Sequence, residues 1–244
     1  MDEMDAALAR RLADAAGAVL LDLRRTNHDP DALRAEGDRR AQEVIDRQLR
    51  AHRPADAVLS EEAPDDPARL AADRVWIVDP LDGTREFGEP GREDWAVHVA
   101  LWQAGELIAG AVALPALGRT YATDQPIEPP PARAGRVRVV VSRTRPPAAA
   151  QRLVSALDAE LVPMGSAGAK AMAVVSGEVD VYLHSGGQYE WDSAAPIAVA
   201  RAAGLHTSRL DGTALTYNQA DLRVPDLLVC RPELAGAVLA EVSA

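Results

Sequence analysis

Val75-Trp76-Ile77-Val78-Asp79-Pro80-Leu81-Asp82-Gly83-Thr84 decides how the chain is read. Val75, Ile77 and Val78 suit a mostly buried strand, and Pro80 cannot donate to a ladder, so the strand should stop near Asp79. The run delivers two carboxylates, three residues apart, onto a turn at the edge of a core. Asp82-Gly83-Thr84 reads as a turn opening a helix, where free backbone N–H groups and the positive end of the helix dipole would meet an anion such as phosphate. Asp-Pro and Asp-Gly are also ordinary turn signals, and an Asp at a helix start is more often a cap than a ligand. Taken alone, the stretch leaves a cation site and a plain turn both open.

The 244 residues allow one large domain or two compact halves, and 48% hydrophobic with 26% charged residues is the composition of a globular protein with a good core. A formal charge of -11 argues against a nucleic-acid polymer or an anionic membrane surface as partner, since both need a basic footprint. Cys230 is the single cysteine, which excludes an intrachain disulfide and a Cys-rich zinc site; in Leu227-Leu228-Val229-Cys230 it reads as a small buried hydrophobe. Met1-Asp2-Glu3-Met4-Asp5 is acidic and lacks the basic region of a signal or transit peptide, and no apolar run reaches membrane-spanning length, so the expected location is the cytoplasm.

Leu8, Leu12, Ala15, Val19 and Leu23 recur at helical spacing over the first 25 residues. A polar loop is expected from Thr26 to Gly37, with Asp38 as a helix-start carboxylate before the apolar positions Ala41, Val44, Ile45 and Leu49. Ala57-Val58-Leu59 is a short strand running into Ser60-Glu61-Glu62; a short acidic loop separates it from the Asp79 strand, so the two strand ends are expected as neighbours. Trp95 to Trp102, Leu107 to Leu114 and Arg119 to Thr123 read as an antiparallel meander. His98, alone on the first of these strands, is more simply a satisfied core histidine than a catalyst.

Asp124 to Gly135, with Pro126 and Pro129-Pro130-Pro131, has no periodic apolar pattern and divides the chain into residues 1–130 and 131–244. Beyond it, strands at Arg136 to Val141, Leu161-Val162 and Val179 to Leu183 alternate with helices at Pro146 to Leu157 and Ala169 to Val175. Trp191-Asp192-Ser193 opens a helix through Ala203 with Pro196 in its first turn; strands near Leu205 to Ser208 and Leu227 to Cys230 and a helix after Pro232 follow. The fold class is mixed α/β: an α+β first half and an α/β second half.

Glu61, Asp79 and Asp82 each lie at the end of an apolar strand, and Asp192 lies at a helix start in the second half. Carboxylates with a carbonyl and water suit Mg2+, and a two-metal site needs a shared carboxylate, further carboxylates on either side and an electropositive seat for phosphate. Ser60-Glu61-Glu62, Asp79-Pro80-Leu81-Asp82-Gly83-Thr84 and Trp191-Asp192-Ser193-Ala194-Ala195, in this order, resemble the inositol monophosphatase superfamily of Mg2+-dependent phosphatases from the first helix to the last strand.

The resemblance implies a layered α-β-α-β-α sandwich, a homodimer and two Mg2+ ions. Glu61, Asp79 and the Leu81 carbonyl would bind one ion, and Asp79, Asp82 and Asp192 the second. Asp38 would support a weaker third ion and the Thr84 network, although its flanking residues diverge from the usual pattern. Thr84 with Glu61 would orient and help deprotonate the attacking water, and the Gly83 and Thr84 N–H groups would hold the phosphate. Thr84-Arg85-Glu86-Phe87, Ser142-Arg143-Thr144-Arg145 and Gly165-Ser166-Ala167-Gly168-Ala169-Lys170 resemble the branch acting on 3'-phosphoadenosine 5'-phosphate in sulfur assimilation. Arg85, Ser142, Arg145, Gly168, Lys170 and Asp192 are therefore the expected substrate contacts, with Lys170 first and Arg145 second for the distal phosphate. Tyr217-Asn218 would border the base or simply make a turn. An inositol or sugar phosphatase, including one acting on fructose 1,6-bisphosphate, is the alternative enzyme. A non-catalytic metal-dependent nucleotide-binding protein is the alternative of another class.

Overall fold

The computed structural model describes residues 3–27, 29–131 and 134–242; Met1 and Asp2 of the acidic amino terminus lie outside them. Helices α1 (Glu3–Thr26) and α2 (Pro30–His52) make the outermost layer. Beneath them β1 (Ala57–Ser60), β2 (Arg74–Asp82), β3 (Ala96–Gln103), β4 (Glu106–Leu114) and β5 (Arg119–Ala122) form one sheet in chain order, with the short α3 (Thr84–Gly88) between β2 and β3. The β1–β2 pair is parallel and the rest are antiparallel, as a meander requires.

The second sheet comprises β6 (Arg138–Ser142), β7 (Glu160–Met164), β8 (Val181–Tyr189), β9 (His206–Ser208) and β10 (Arg223–Cys230), in the order β7-β6-β8-β10-β9. Helices α5 (Ala167–Val175) and α6 (Glu190–Ala202) lie between the sheets, and α4 (Ala148–Ala156) and α7 (Ala235–Val242) cover the far face. The sandwich is therefore α-β-α-β-α, with three apolar cores: one under each outer helix layer and a central one that surrounds α5 and α6 on both sides. No described helix is long and apolar enough to cross a membrane.

Strand β2 is buried on both faces, so its sequence is a continuous apolar run, but the period of two still sorts its side chains. Trp76 and Val78 enter the core under α1 and α2, while Val75 and Ile77 enter the central core against α6. Burying each such side chain contributes about 1.5–3 kcal/mol. Cys230 is fully buried at the end of β10, as a small hydrophobe should be.

Three local expectations are corrected. Residues 30–37 are helical: Asp29 caps α2 by accepting from the Asp31 and Ala32 N–H groups, and Pro30 fits the first turn, where its missing N–H costs nothing. Asp38 is thus inside α2 and not at its start. The glycine before it, which looked like a loop residue, is a close-packing position: a Cβ on Gly37 would stand 2.7 Å from Phe87 Cε1 and 3.0 Å from Leu81 Cδ2. Strand β2 does not stop at Asp79 but continues through Pro80 to Asp82 on a bulge, and Pro196 lies inside α6 beyond its first turn.

Gly37→Ala tests the packing reading, because helix propensity and crowding act in opposite directions. Propensity gains about 1 kcal/mol, whereas overpacking a filled core costs about 1–3 kcal/mol. The expected result is a lower melting temperature; a rise would show that Leu81 and Phe87 do not need the space.

Candidate metal centre and cleft

Parallel pairing sets Ser60 opposite Val78, so Glu61 comes level with Asp79 and its N–H donates to the Val78 carbonyl at 3.3 Å. On the other side, β3 places His98 opposite Asp79 and Ala96 opposite Asp82. Three steps along β2 match two along β3, which is a bulge, and it forms where proline has no N–H to give the ladder. Gly83 follows in the left-handed region, φ 87°, and turns the chain into α3. The start of α6 brings Asp192 from the second half, and one carboxylate oxygen from each of Asp79, Asp82 and Asp192 lies within 4.8 Å of the others.

Each of these carboxylates commits one oxygen and leaves the other without a hydrogen bond among the described residues. Asp79 Oδ1 accepts the Leu81 N–H at 3.0 Å, while its Oδ2 is buried with no partner. Asp82 Oδ2 accepts the Gly168 N–H at 2.7 Å and the Ser166 hydroxyl. Asp192 Oδ2 accepts the Tyr189 N–H at 2.6 Å, closing the cap of α6. Each acid thus keeps one oxygen without a hydrogen bond in a cluster where the three carboxylates meet. The Leu81 carbonyl accepts the Thr84 hydroxyl at 3.1 Å.

Charge crowding follows from this packing. Burial, then the charges of Glu61, Asp82 and Asp192, raise the Asp79 pKa well above the carboxylate range. Glu61, whose surface stays open to solvent on one side, is pushed up to about 7 by desolvation of its carboxyl and then by Asp192. Asp192 rises to about 6 through burial and the Asp82 charge. Asp38 rises to about 7 through burial and then Glu62, with the Thr84 hydroxyl pulling the other way, so mid-helix Asp38 still neighbours Thr84. Asp82 is the exception: burial would raise it, but His98, Lys170 and Ser166 overcome this and bring it down to about 2.

A cleft of about 710 Å³ opens beside the cluster, lined from the first half by residues 82–86 and from the second by residues 142–145, 165–167 and 187–189, with Lys170, Tyr182, His184 and Asp192. Arg85 and Arg145 are exposed there, and no ion pair or hydrogen bond engages either guanidinium among the described residues. The Ser142 hydroxyl accepts the Arg145 N–H at 3.2 Å, fixing the turn that presents this side chain. Arg143 is not available to an anion, because Glu86 at 2.5 Å and Glu89 at 2.7 Å already hold it.

Lys170 is not a surface charge: it is 5% exposed, donates to the Gly165 and Ser166 carbonyls, and sits 5.3 Å from the Tyr182 ring. Burial lowers its pKa, with Asp82 foremost among the carboxylates opposing this.

One expected contact is displaced, and one open alternative is decided. Gly168 does not line the cleft, because its N–H is spent on Asp82. Tyr217-Asn218 is a turn, with Asn218 at φ 59° and its N–H on Glu190, and it stands away from the cleft. Conversely, Ser166 and His98 belong to the centre. His98 is fully buried, with Nε2 3.3 Å from Asp82 Oδ2 and Nδ1 3.1 Å from the Trp191 carbonyl. Nothing local in the sequence singles it out; only the β2–β3 register places it opposite Asp79.

The inositol monophosphatase family model matches residues 1–244. The chain is 54% identical over 238 aligned residues to the 3'-phosphoadenosine 5'-phosphate phosphatase of Mycobacterium bovis, covering 93% of this chain and 89% of that protein. It is 53% identical over 255 aligned residues to the Mycobacterium leprae protein of the same name, covering 96% and 92%. The crystal structure of CysQ from Bacteroides thetaiotaomicron, a bacterial member of the inositol monophosphatase family, superposes with a TM-score of 0.81 at 28% identity, covering 94% of this chain and 98% of that one. With its layers, its β2 bulge and its converging carboxylates in place, the chain belongs to the inositol monophosphatase family.

Proposed function

We propose that this chain is a Mg2+-dependent phosphomonoesterase that hydrolyses the 3'-phosphate of 3'-phosphoadenosine 5'-phosphate, giving AMP and phosphate, in sulfur metabolism. The observation that carries this reading is the trio of carboxylates, each with one unpartnered oxygen, beside a cleft whose walls present the free guanidiniums of Arg85 and Arg145. Relatives 54% identical bear the name of that phosphatase. On the family resemblance, the proposal extends to a cytoplasmic homodimer whose residues 1–130 carry most of the cation ligands, while residues 131–244 add Asp192 and the substrate-selecting side chains.

The donor set fits hard cations, since the buried Asp79 Oδ2 lacks any other partner and Mg2+ takes carboxylate and carbonyl oxygens. Glu61, Asp79 and the Leu81 carbonyl would hold one ion, Asp79, Asp82 and Asp192 a second, and Asp38 would support a weaker third. Such ions, when bound, make water acidic enough to be a nucleophile near neutral pH and neutralise a departing alkoxide. The side chains do the rest. Thr84 donates to the Leu81 carbonyl, so its oxygen is left to accept from the attacking water, and Glu61 takes the proton. The Gly83 and Thr84 N–H groups hold the scissile phosphate. Arg85 and Arg145, which line the cleft together with the buried Lys170, meet the 5'-phosphate, with Ser142 setting the Arg145 turn.

Two predictions follow from the acidic centre. In the metal-free protein, carboxyl groups with raised pKa values contribute stability that is full below about pH 4 and lost as pH rises through about 6 to 7. His184 and His206, lowered by burial, act in the opposite direction, but they are two groups against the five raised carboxyls Asp38, Glu61, Asp79, Glu190 and Asp192. The melting temperature in chelator should therefore fall between pH 5 and pH 8, and saturating Mg2+ should raise it more at pH 8 than at pH 5. An equal Mg2+ effect at both pH values would count against the cation reading.

In steady-state assays, Asp79→Asn should reduce phosphate release by about 10³-fold or more, the equivalent of roughly 4 kcal/mol. The wild type should show a kcat/KM for 3'-phosphoadenosine 5'-phosphate more than tenfold above those for inositol 1-phosphate and fructose 1,6-bisphosphate. The reverse preference would move the assignment to a sugar or inositol phosphatase, and tight nucleotide binding with no phosphate release would make the chain a binding protein.

A further inference from the structure

We infer that His98 is a positioning residue that joins the cation ligands of the two halves, setting the Asp82 carboxylate against the start of the helix that carries Asp192. This rests on the cation reading of Asp79, Asp82 and Asp192 proposed above. The imidazole is fully buried on β3 and spans the seam between the halves. One edge, Nε2, stands 3.3 Å from Asp82 Oδ2 of the first half; the other, Nδ1, stands 3.1 Å from the carbonyl of Trp191, the residue before Asp192. A carbonyl can only accept, so Nδ1 is its donor, while the buried Nε2 meets the Asp82 oxygen as a close polar contact without an aligned hydrogen bond.

The surroundings of the ring are built around it. Gly168 leaves the space it occupies, since a Cβ there would lie 2.1 Å from Nε2 and 3.1 Å from the Ala96 Cβ. The Gly168 N–H and the Ser166 hydroxyl approach the same Asp82 oxygen that Nε2 faces. Three groups therefore crowd Oδ2 and fix the carboxylate, leaving Oδ1 as the Asp82 oxygen without a hydrogen bond in the cluster with Asp79 and Asp192. A core histidine with no such task would not need both ring edges directed at ligand-bearing segments. Groups that orient metal ligands in this way typically cost 10–100-fold in metal affinity or activity when removed.

The test is Mn2+ binding to the full-length protein, followed by electron paramagnetic resonance, with thermal melting in chelator to separate folding from binding. His98→Leu removes both contacts, His98→Asn keeps a donor near the Nδ1 position, and His98→Gln places a donor near the Nε2 position. Mn2+ affinity should fall about 10–100-fold in His98→Leu and His98→Asn and stay within about threefold of wild type in His98→Gln. Gly168→Ala, which crowds the ring out, should match His98→Leu and add no further loss in the double variant.

If His98→Leu does not fold, the Asn and Gln variants decide the matter between them. Equal Mn2+ affinity in wild type and His98→Asn, or a Gln variant as weak as the Asn variant, would overturn the inference while leaving the cation reading intact. Failure of the wild type to bind Mn2+ would overturn both.

Discussion

Three carboxylates whose oxygens lie within 4.8 Å of one another repel strongly, and two of them, Asp79 and Asp82, are buried. At an effective dielectric constant near 20, each fully charged pair at 4 Å costs about 4 kcal/mol, a large share of the stability of any domain. The fold holds them together nonetheless, and most of its local features near the site serve that end. The bulge at Pro80 turns two side chains of a fully buried strand to one side, and the start of α6 presents Asp192 from the second half. Backbone N–H groups at Leu81, Gly168 and Tyr189 each take one oxygen, which orients the acids without neutralising them. A cation is the counterpart that the proposed function supplies.

The two halves meet through specific bonds as well as apolar packing. Arg143 on the β6–α4 loop grips Glu86 and Glu89 beside α3, and Asp94 before β3 accepts the Gly165 N–H at 2.6 Å. Asp82 reaches Ser166 and Gly168 across the same seam. The proposed cation ligands and the cleft walls therefore come from both sides of one joint, so a shift of α5 or α6 would disturb the acids and the cleft together. Gly37 and its tight contact with Leu81 and Phe87 press α2 against the turn from the outside.

Much of this was legible in the sequence because it depends on local signals. The apolar run before Asp79, the strand before Glu61 and the helix start at Asp192 place three of the acids by periodicity and turn chemistry alone. What was not legible depends on contacts between distant segments. Gly37-Asp38 looked like a loop end because a glycine inside a helix is explained only by the Phe87 and Leu81 side chains above it. The burial of Lys170 was not legible either, because its carbonyl partners and the Tyr182 ring become its neighbours only on folding. Gly168 looked like a substrate contact, and His98 like ordinary core. Their shared contact with Asp82 emerges only where α5 crosses β3 and the Gly168 N–H meets an acid 86 residues away in the chain.

The central claim is that the acids form a cation centre bridged by Asp79, and a crystal structure grown with Mn2+ and phosphate tests it most directly. The anomalous difference map should show two peaks in the space between Glu61, Asp79, Asp82, the Leu81 carbonyl and Asp192, both within ligand distance of Asp79. A map with no peak there, or with manganese bound only elsewhere on the acidic surface, would contradict it.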